Sequence, residues 1–218
     1  MRSYGQFCGL ARALDVVGDR WSMLIVRELL LQGPARYTDL KNGLPGIATN
    51  LLVDRLRELE EAGVVTHQDA KPPVATALFK LTPWGEQLRP IVLALGRWAR
   101  PLMGKQARAD HVRAHWLALP LESMLVDRSP KQRPIRIELR PMRAGTPMLL
   151  ETHHGRVRVR ASDGEPTDAV VSGPADVIIA LLAGRIDLAT ARARRLRVQG
   201  NARVLRRIGP APERLLSA

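Results

Sequence analysis

Short polar and basic side chains recur on one side of a helix predicted at residues 48–62. Leu52, Leu56 and Leu59 follow each other at helical spacing, so they predict its buried side. The opposite side then presents Thr49, Asn50, Val53, Asp54 and Arg57. Threonine and asparagine hydrogen-bond the edges of bases and arginine binds phosphate oxygens, so this side is suited to nucleic-acid recognition. The simpler alternative is the solvated side of an amphipathic helix.

Basic side chains around this helix extend the same chemistry. Arg36 precedes a short predicted helix, and Lys71 lies at the tip of a predicted hairpin. Like Arg55 and Arg57, they are suited to binding phosphates. The sequence thus predicts a DNA-binding set that consists of Arg36, Thr38, Thr49, Asn50, Val53, Arg55, Arg57 and Lys71.

The balance of charge agrees with a polyanionic partner but does not establish one. The chain of 218 residues has 34 lysines and arginines against 21 aspartates and glutamates, a net charge of +13. A strongly basic protein attracts polyanions because each neutralised phosphate releases counterions. Only five of the 34 basic residues are lysines. This excess of arginine over lysine can instead reflect the base composition of the genome.

Composition also excludes several classes of protein. Cys8 is the single cysteine, which excludes an intramolecular disulfide and a cysteine-rich zinc site. The longest apolar run, residues 177–183, is far shorter than the ~20 residues of a membrane span, and no secretory signal begins the chain. The sequence contains no nucleophile elbow, phosphate-cradling loop or other catalytic constellation. We therefore expect a cytoplasmic protein without membrane contact that is not an enzyme and has no cofactor or metal.

The order of predicted elements in the first half is typical of a winged helix-turn-helix. Helices are predicted at residues 7–17, 20–32, 38–43 and 48–62, strands at 64–68 and 75–81, and a fifth helix from Thr82-Pro83 onward. The Thr82 hydroxyl can cap this fifth helix, and proline suits its first position. The two strands after the fourth helix distinguish the pattern from a plain helical bundle.

The fifth predicted helix carries more apolar surface than so small a domain can bury. The stripe consists of Leu88, Ile91, Leu95 and Trp98, with Pro90 as a point where the helix could bend. We therefore expect a homodimer built mainly by the first and fifth helices. Two recognition helices on one face of DNA must reach major grooves about 34 Å apart, so the expected operator is an inverted repeat.

Residues 1–103 resemble the HxlR family of winged-helix transcription regulators, which are relatives of the MarR group. The matching residues are Gly18-Asp19-Arg20-Trp21, Gly33-Pro34, Tyr37-Thr38-Asp39-Leu40, Leu44-Pro45-Gly46-Ile47, Gly63, Leu81-Thr82 and Gly85. The chain departs from the family pattern at Ala48 and His67. The resemblance implies a DNA-binding regulator, with repression as its expected action. Some relatives respond to oxidants through a cysteine near the N-terminus, which Cys8 matches; the alternative is a buried, inert thiol.

Residues 132–218 show the alternation of half-buried strands and then an apolar helix. Ile135, Ile137 and Leu139 alternate with charged side chains, as Val157 and Val159 do. Asn201 can cap a last helix. With Ala183-Gly184-Arg185 and Gly200-Asn201, this order resembles the sterol-carrier-protein-type-2-like fold. Such domains enclose an apolar cavity, which implies a small apolar ligand. The residues expected to line it are Val177, Ile178, Leu181 and Leu182, and the alternative is that all four are core.

The expected fold class is α+β, with a winged helix-turn-helix DNA-binding and dimerisation domain at 1–103, a helical connector at 104–131 and a smaller α/β sterol-carrier-like domain at 132–218. Three functions remain open: a regulator whose second domain senses an apolar ligand, a thiol-based redox regulator, and a lipid-binding carrier with a borrowed winged helix. The arginine-rich stretch at 192–197 is suited to contact DNA or an anionic ligand, and its simpler interpretation is a solvated helix end.

Overall fold

The structure is a computed structural model that describes residues 3–69, 77–102, 111, 113–142, 147–162 and 164–212. The chain divides into two compact units, residues 1–94 and 95–218. Both units combine helices with a sheet, so the α+β fold class is confirmed. Within the described ranges, no helix has the length and apolar character needed to cross a membrane.

The helices of the first half form between local start and stop signals. They are α1 (Gly9–Val17), α2 (Ser22–Gln32), α3 (Tyr37–Gly43), α4 (Thr49–Glu61), α5 (Pro83–Glu86) and α6 (Arg89–Trp98). Before α2, the Asp19 carboxylate accepts a hydrogen bond from the Trp21 backbone N–H at 2.9 Å. Gly33 follows α2 with a φ of 73°, a left-handed conformation that glycine adopts without a steric penalty.

The core of the first unit lies between α2, α3 and α4. The predicted stripe Leu52, Leu56 and Leu59 is buried, as are apolar side chains of α2 and Leu40 of α3. Glu28 of α2 is buried as well, and its carboxylate accepts hydrogen bonds from Arg27 at 2.7 Å and Gln32 at 2.6 Å. A Cβ at Gly43 would lie 2.3 Å from this carboxylate, so the end of α3 requires glycine.

A three-stranded antiparallel sheet completes the first unit. Its strands are β1 (Ala35–Arg36), β2 (Val65–Asp69) and β3 (Ala77–Leu81), in the order β1-β3-β2. The β2–β3 hairpin is the wing that the sequence predicts. Its tip at residues 70–76, including the predicted phosphate contact Lys71, lies outside the described residues. The two-residue β1 was not predicted, because a strand this short shows no alternation.

The fifth helix predicted from the sequence is in fact two helices. Its predicted cap is confirmed, because Thr82 Oγ1 accepts a hydrogen bond from the Gly85 N–H at 3.0 Å. However, α5 ends at Glu86 and α6 begins at Arg89. Pro90 has no N–H to donate, and its ring would clash with the Glu86 carbonyl in a continuous helix. The prediction of one helix is therefore wrong, and proline separates two helices instead of bending one.

The second unit is built on a seven-stranded sheet in the order β10-β4-β7-β6-β5-β8-β9. The strands are β4 (Leu125–Asp127), β5 (Arg136–Pro141), β6 (Met148–His153), β7 (Arg156–Ala161), β8 (Ala169–Gly173), β9 (Arg197–Gly200) and β10 (Ile208–Pro210). The helices are α7 (Ala118–Met124), α8 (Ala175–Leu182) and α9 (Leu188–Ala193), with 3-10 turns at Arg100–Leu102, Ala114–Leu117 and Ala202–Arg207. Neighbouring strands are antiparallel except β5 and β8, which are parallel. The predicted cap at Asn201 is confirmed, since its side chain accepts from the Arg203 N–H.

One side of this sheet forms the core of the second unit. Ile137 of β5 lies opposite Leu150 of β6, which lies opposite Val159 of β7, and all three are buried. The other side is more enclosed than the alternation predicts. Glu138 is 6% exposed, and its carboxylate accepts a hydrogen bond from Ser162 at 3.0 Å and pairs with Arg140. Glu138, one of the charged residues that alternate with Ile137 and Leu139, is therefore buried, since these partners cover it.

Part of the predicted connector belongs to the sheet. Residues 125–127 form β4, which pairs with β7 and β10. Asp127 of β4 is buried and accepts hydrogen bonds from Arg207 at 2.6 and 3.1 Å, which joins β4 to the 3-10 turn that ends 80 residues later. A three-residue strand shows no periodicity, and this partner is distant in sequence, so neither feature was predicted.

Candidate nucleic-acid interface

The polar side of α4 is exposed to solvent. Thr49 and Asn50 lie in its first turn, and both are exposed. Val53 is 50% exposed and the Arg57 side chain is 67% exposed. Arg57 lies 3.5 Å from Asp54 and 3.9 Å from Glu61, which are weak surface ion pairs. This face can therefore offer hydrogen-bonding groups at the helix start and a positive charge two turns later.

Two contacts that the sequence analysis missed hold the start of α4 in place. The Tyr37 hydroxyl of α3 donates a hydrogen bond to the Thr49 backbone carbonyl at 2.9 Å. The Lys41 ammonium donates to the backbone carbonyl of Ile47, in the turn between α3 and α4. Ala48, at the N-cap position, has no polar side chain of its own. Tyr37 and Lys41 thus position the recognition helix from α3.

The other end of α4 is joined to the wing. The Glu60 carboxylate accepts a hydrogen bond from the His67 backbone N–H at 3.1 Å and lies 2.6 Å from His67 Nδ1. His67 belongs to β2, so the hairpin is attached to the helix at its base.

The residues at the start of α3 are also exposed, namely Arg36 and Thr38. The Asp39 carboxylate accepts a hydrogen bond from the Arg36 backbone N–H at 3.0 Å.

The structure separates Arg55 from the other predicted contacts. Its guanidinium lies 2.6 Å from Glu58 and 3.6 Å from Asp19, and its side chain is 22% exposed. Arg55 thus faces the turn before α2, whereas Arg57 points to solvent. The contact of Arg55 with Asp19 could not be predicted, because the two residues are distant in sequence.

The predicted dimer stripe is exposed in the single chain. Ile91, Leu95 and Trp98 are 49%, 48% and 75% exposed, and Leu88 is half-buried. Within the first unit, an open groove of about 670 Å³ runs between α1 and the α5–α6 pair. Its apolar lining comes from Val16, Val17, Val64, Trp84, Leu88 and Ile91. Phe7 precedes α1 and Leu10 lies in its first turn, and both side chains are exposed.

Cys8 is an exposed thiol at the N-cap of α1. The nearby backbone N–H groups of Ala11 and then Leu10, at the start of α1, lower the pKa of the Cys8 thiol below its ordinary value. The expectation of a buried thiol is therefore wrong, because Cys8 is exposed. Unpaired N–H groups at a helix start stabilise a thiolate.

The predicted ligand-binding residues of α8 divide into two groups. Val177, Ile178 and Leu182 are buried and pack as core. Leu181 is half-buried and lines a groove of about 480 Å³ between α8, α9 and the last 3-10 turn. Leu188, Leu205 and Ile208 share this lining. A small apolar molecule in this groove would therefore contact Leu181 and not the other three.

The chain is similar to proteins named as transcriptional regulators. The HTH-type regulator sll1512 of Synechocystis sp. is 33% identical over 92 residues, 42% of this chain and 67% of its own length. The regulator YkvN of Bacillus subtilis is 33% identical over 91 residues, 42% of this chain and 76% of its own length. The crystal structure of reduced YodB from B. subtilis is 26% identical, with a TM-score of 0.40, over 47% of this chain and 100% of that chain. These relatives are named as transcriptional regulators, a class without catalysis.

Two family models cover most of the chain. The model for the HxlR-like helix-turn-helix matches residues 16–107, and the model for the SCP-2 sterol transfer family matches residues 128–211. The first range contains α4, the wing and the apolar stripe, and the second contains every strand of the seven-stranded sheet except β4. The chain therefore belongs to the HxlR-like helix-turn-helix family of transcriptional regulators, with an SCP-2-type domain following the winged helix.

Proposed function

We propose that two copies of this chain bind an inverted-repeat operator in double-stranded DNA and repress transcription there. The observation that carries the proposal is the exposed face of α4, with Thr49 and Asn50 in its first turn and Arg57 beyond them. Residues at the start of an inserted helix read base edges, and arginines bind phosphates. Arg36, Thr38 and Val53 complete the contact set, whereas Arg55 acts within the fold.

The dimer in this proposal uses α1 and α6. The groove between α1 and α5–α6 leaves apolar side chains in contact with water, and Leu95 and Trp98 of α6 are exposed as well. A second copy of the same surface would remove it from water, as a symmetric interface does. Two-fold symmetry of the protein then requires two-fold symmetry of the operator.

The second unit in this proposal binds a small apolar molecule. Its support is the groove beside Leu181, whose volume of about 480 Å³ lies within the ordinary range of ligand sites. Ligand binding changes DNA affinity only where the DNA-bound and free forms differ in ligand affinity, because coupling is reciprocal. We expect the ligand to release DNA.

The experiment uses the full chain and DNA from upstream of its own gene. A gel shift that saturates and resists excess unrelated DNA is the expected result, and absence of any sequence preference would contradict the proposal. Repeating the shift with lipid extracts tests the sensor. A Leu181→Gln variant that still binds DNA but no longer responds would support the groove, and an unchanged response would exclude it.

Cys8 supports a second candidate, a thiol-based regulator with a structural second domain. The thiol is exposed and its pKa is lowered, which are the properties of a reactive cysteine. With one cysteine per chain, a disulfide would form between subunits or with a small thiol. A quinone or peroxide should then change the operator affinity of the wild type and not of Cys8→Ser. Equal affinities under all conditions would exclude this candidate.

A further inference from the structure

Three arginines surround a groove at one end of the second unit. Arg192 belongs to the last turn of α9, Arg195 lies in the turn after it, and Arg197 begins β9. Together with Ser172, Leu196 and Met142 they line an open groove of about 610 Å³. This groove is separate from the one beside Leu181, with which it shares no lining residue.

These three guanidinium groups have no acidic partner among the described residues. The lining of the groove contains no carboxylate, and Arg192, Arg195 and Arg197 take part in no ion pair or side-chain hydrogen bond there. Elsewhere in the same unit, Arg133 lies 2.5 Å from Asp168 and Arg207 lies 2.6 Å from Asp127. Three like charges held near one groove repel each other, and an anion between them would remove this repulsion.

The backbone holds this cluster in place at a strained turn. Arg195 has a φ of 68°, which is uncommon for a residue with a side chain. The turn packs against Gly173 so closely that a Cβ there would lie 3.1 Å from the Leu196 Cα and 3.3 Å from the Arg195 carbonyl oxygen. Ser172 lies directly opposite Arg197 in the β8–β9 register, so the hydroxyl and the guanidinium belong to the same side of the sheet.

We propose that this groove binds the phosphate group of a small amphiphilic molecule. A phosphate monoester carries a charge of about −1.5 to −2 and three acceptor oxygens, which match three guanidinium groups and a hydroxyl better than a carboxylate does. Arginine forks bind such oxygens in pairs. Exposed Met142 and the edge of Leu196 offer apolar contact to a chain attached to the phosphate.

A DNA backbone is a less suitable occupant of this site. The groove is concave, and the apolar side chains in its lining have no counterpart on a sugar-phosphate chain. The proposal concerns the second unit and does not depend on the operator contacts of α4. A chain that failed to bind DNA could therefore still bind the phosphate ligand, and the two failures are distinguishable.

The test is titration calorimetry of the full chain with decyl phosphate, decanoate and decanol, each below the concentration at which it aggregates. Decyl phosphate should bind most tightly and decanol least. Replacing Arg192 and Arg197 with glutamine should weaken the affinity for decyl phosphate by about tenfold or more, since each replacement removes charge-assisted hydrogen bonds. The matched control replaces Arg185 and Arg203, exposed arginines outside the groove, and should leave binding within about twofold.

The source of the phosphate is distinguished by a second arm. Sedimentation with vesicles that contain phosphatidate tests a lipid headgroup, and inorganic phosphate tests a free anion. If the groove variant loses binding to the vesicles and the control variant does not, the phosphate belongs to a lipid headgroup. If the groove variant loses binding to soluble decyl phosphate but keeps its binding to the vesicles, the phosphate belongs to a free ligand. Equal weakening in the groove and control variants, equal binding of decanol, or an effect on duplex DNA alone would each overturn the proposal.

Discussion

The two halves of the chain hold their positive charge in different ways. Residues 1–103 have 13 basic and 10 acidic side chains, whereas residues 104–218 have 21 and 11. Yet the helix-turn-helix lies in the less charged half. In the second unit, carboxylates pair with Arg133, Arg136 and Arg207 at 2.5–2.6 Å. In the first unit, Arg57 lies on an exposed face of α4 and forms long, weak ion pairs with Asp54 and Glu61. We therefore expect the position of a charge to matter more for DNA binding than the total charge does.

The largest effect is expected from the apolar stripe. Leu95→Asp with Trp98→Asp places two charges on the proposed interface and should give a monomer by sedimentation. Operator affinity should fall by about 100-fold or more, because a monomer loses the second half-site. Met142→Asp, a charge on an exposed apolar side chain of the second unit, should leave the dimer intact. An unchanged dimer in the double variant would remove α6 from the interface.

The ion pair between Asp127 and Arg207 should decide the stability of the second unit. Both side chains are buried, at 3% and 12% exposure, so Asp127→Ala leaves an unpaired charge and should cost about 3–5 kcal/mol in urea unfolding. Asp176→Ala, an exposed carboxylate of α8, should cost far less. If both variants unfold alike, the pair contributes no special stability.

The same pair gives a pH dependence. Burial alone would raise the pKa of Asp127, but hydrogen bonds from Arg207 and the Ser129 N–H outweigh it and hold the pKa below its ordinary value. Its stabilisation is therefore complete above about pH 3.9, the unfolded value, and is lost as pH falls through the folded one. Asp127→Ala should lack this part of the acid transition.

Asn50 should affect discrimination between DNA sequences. Asn50→Ala should reduce the preference for the operator over unrelated DNA by about 1–3 kcal/mol for each lost base contact. Gln199→Ala, an exposed amide of β9, is the control and should leave the preference unchanged. Fluorescence anisotropy with both DNAs measures the difference. An unchanged preference in Asn50→Ala would place base recognition on another face.

A pair of arginines tests the comparison of the two halves directly. Arg57→Ala and Arg156→Ala remove the same charge from exposed positions of the first and second units. Arg57→Ala should weaken binding to all sequences alike and lower the salt slope by about one, while Arg156→Ala should change neither. Equal effects would mean that net charge, and not position, governs DNA binding.

The smallest effect concerns Cys8 and the rate of its alkylation. Its pKa is lowered by the N–H groups of Ala11 and Leu10, so the thiolate forms at lower pH than in free cysteine, whose pKa is about 8.5. The rate of reaction with iodoacetamide should therefore reach its midpoint below that value. N-acetylcysteine is the reference. A midpoint at or above the reference would show a thiol without activation.

The sequence predicted features that depend on neighbouring residues. The buried stripe of α4, the Thr82 cap and the Asn201 cap follow from local spacing, and the structure confirms them. Features set by distant partners were missed or misplaced. Arg55 was predicted at the DNA because its partner Asp19 is 36 residues away. The Tyr37 contact and the pairing of β4 depend likewise on the folded chain. Pro90 was recognised, but the helical spacing of the apolar residues on both sides of it did not reveal two separate helices.

The way α4 is held has a consequence for how regulators of this kind diverge. Its attachments use the backbone carbonyl of Thr49 at one end and the side chain of Glu60 at the other. The exposed side chains between them at 49, 50, 53 and 57 support no part of the core. Duplicated genes can therefore exchange these four side chains at little cost in stability and acquire new target promoters. Tyr37, Glu60 and Leu52 cannot vary as freely, because changing any of them would displace α4 and all four of its exposed side chains together.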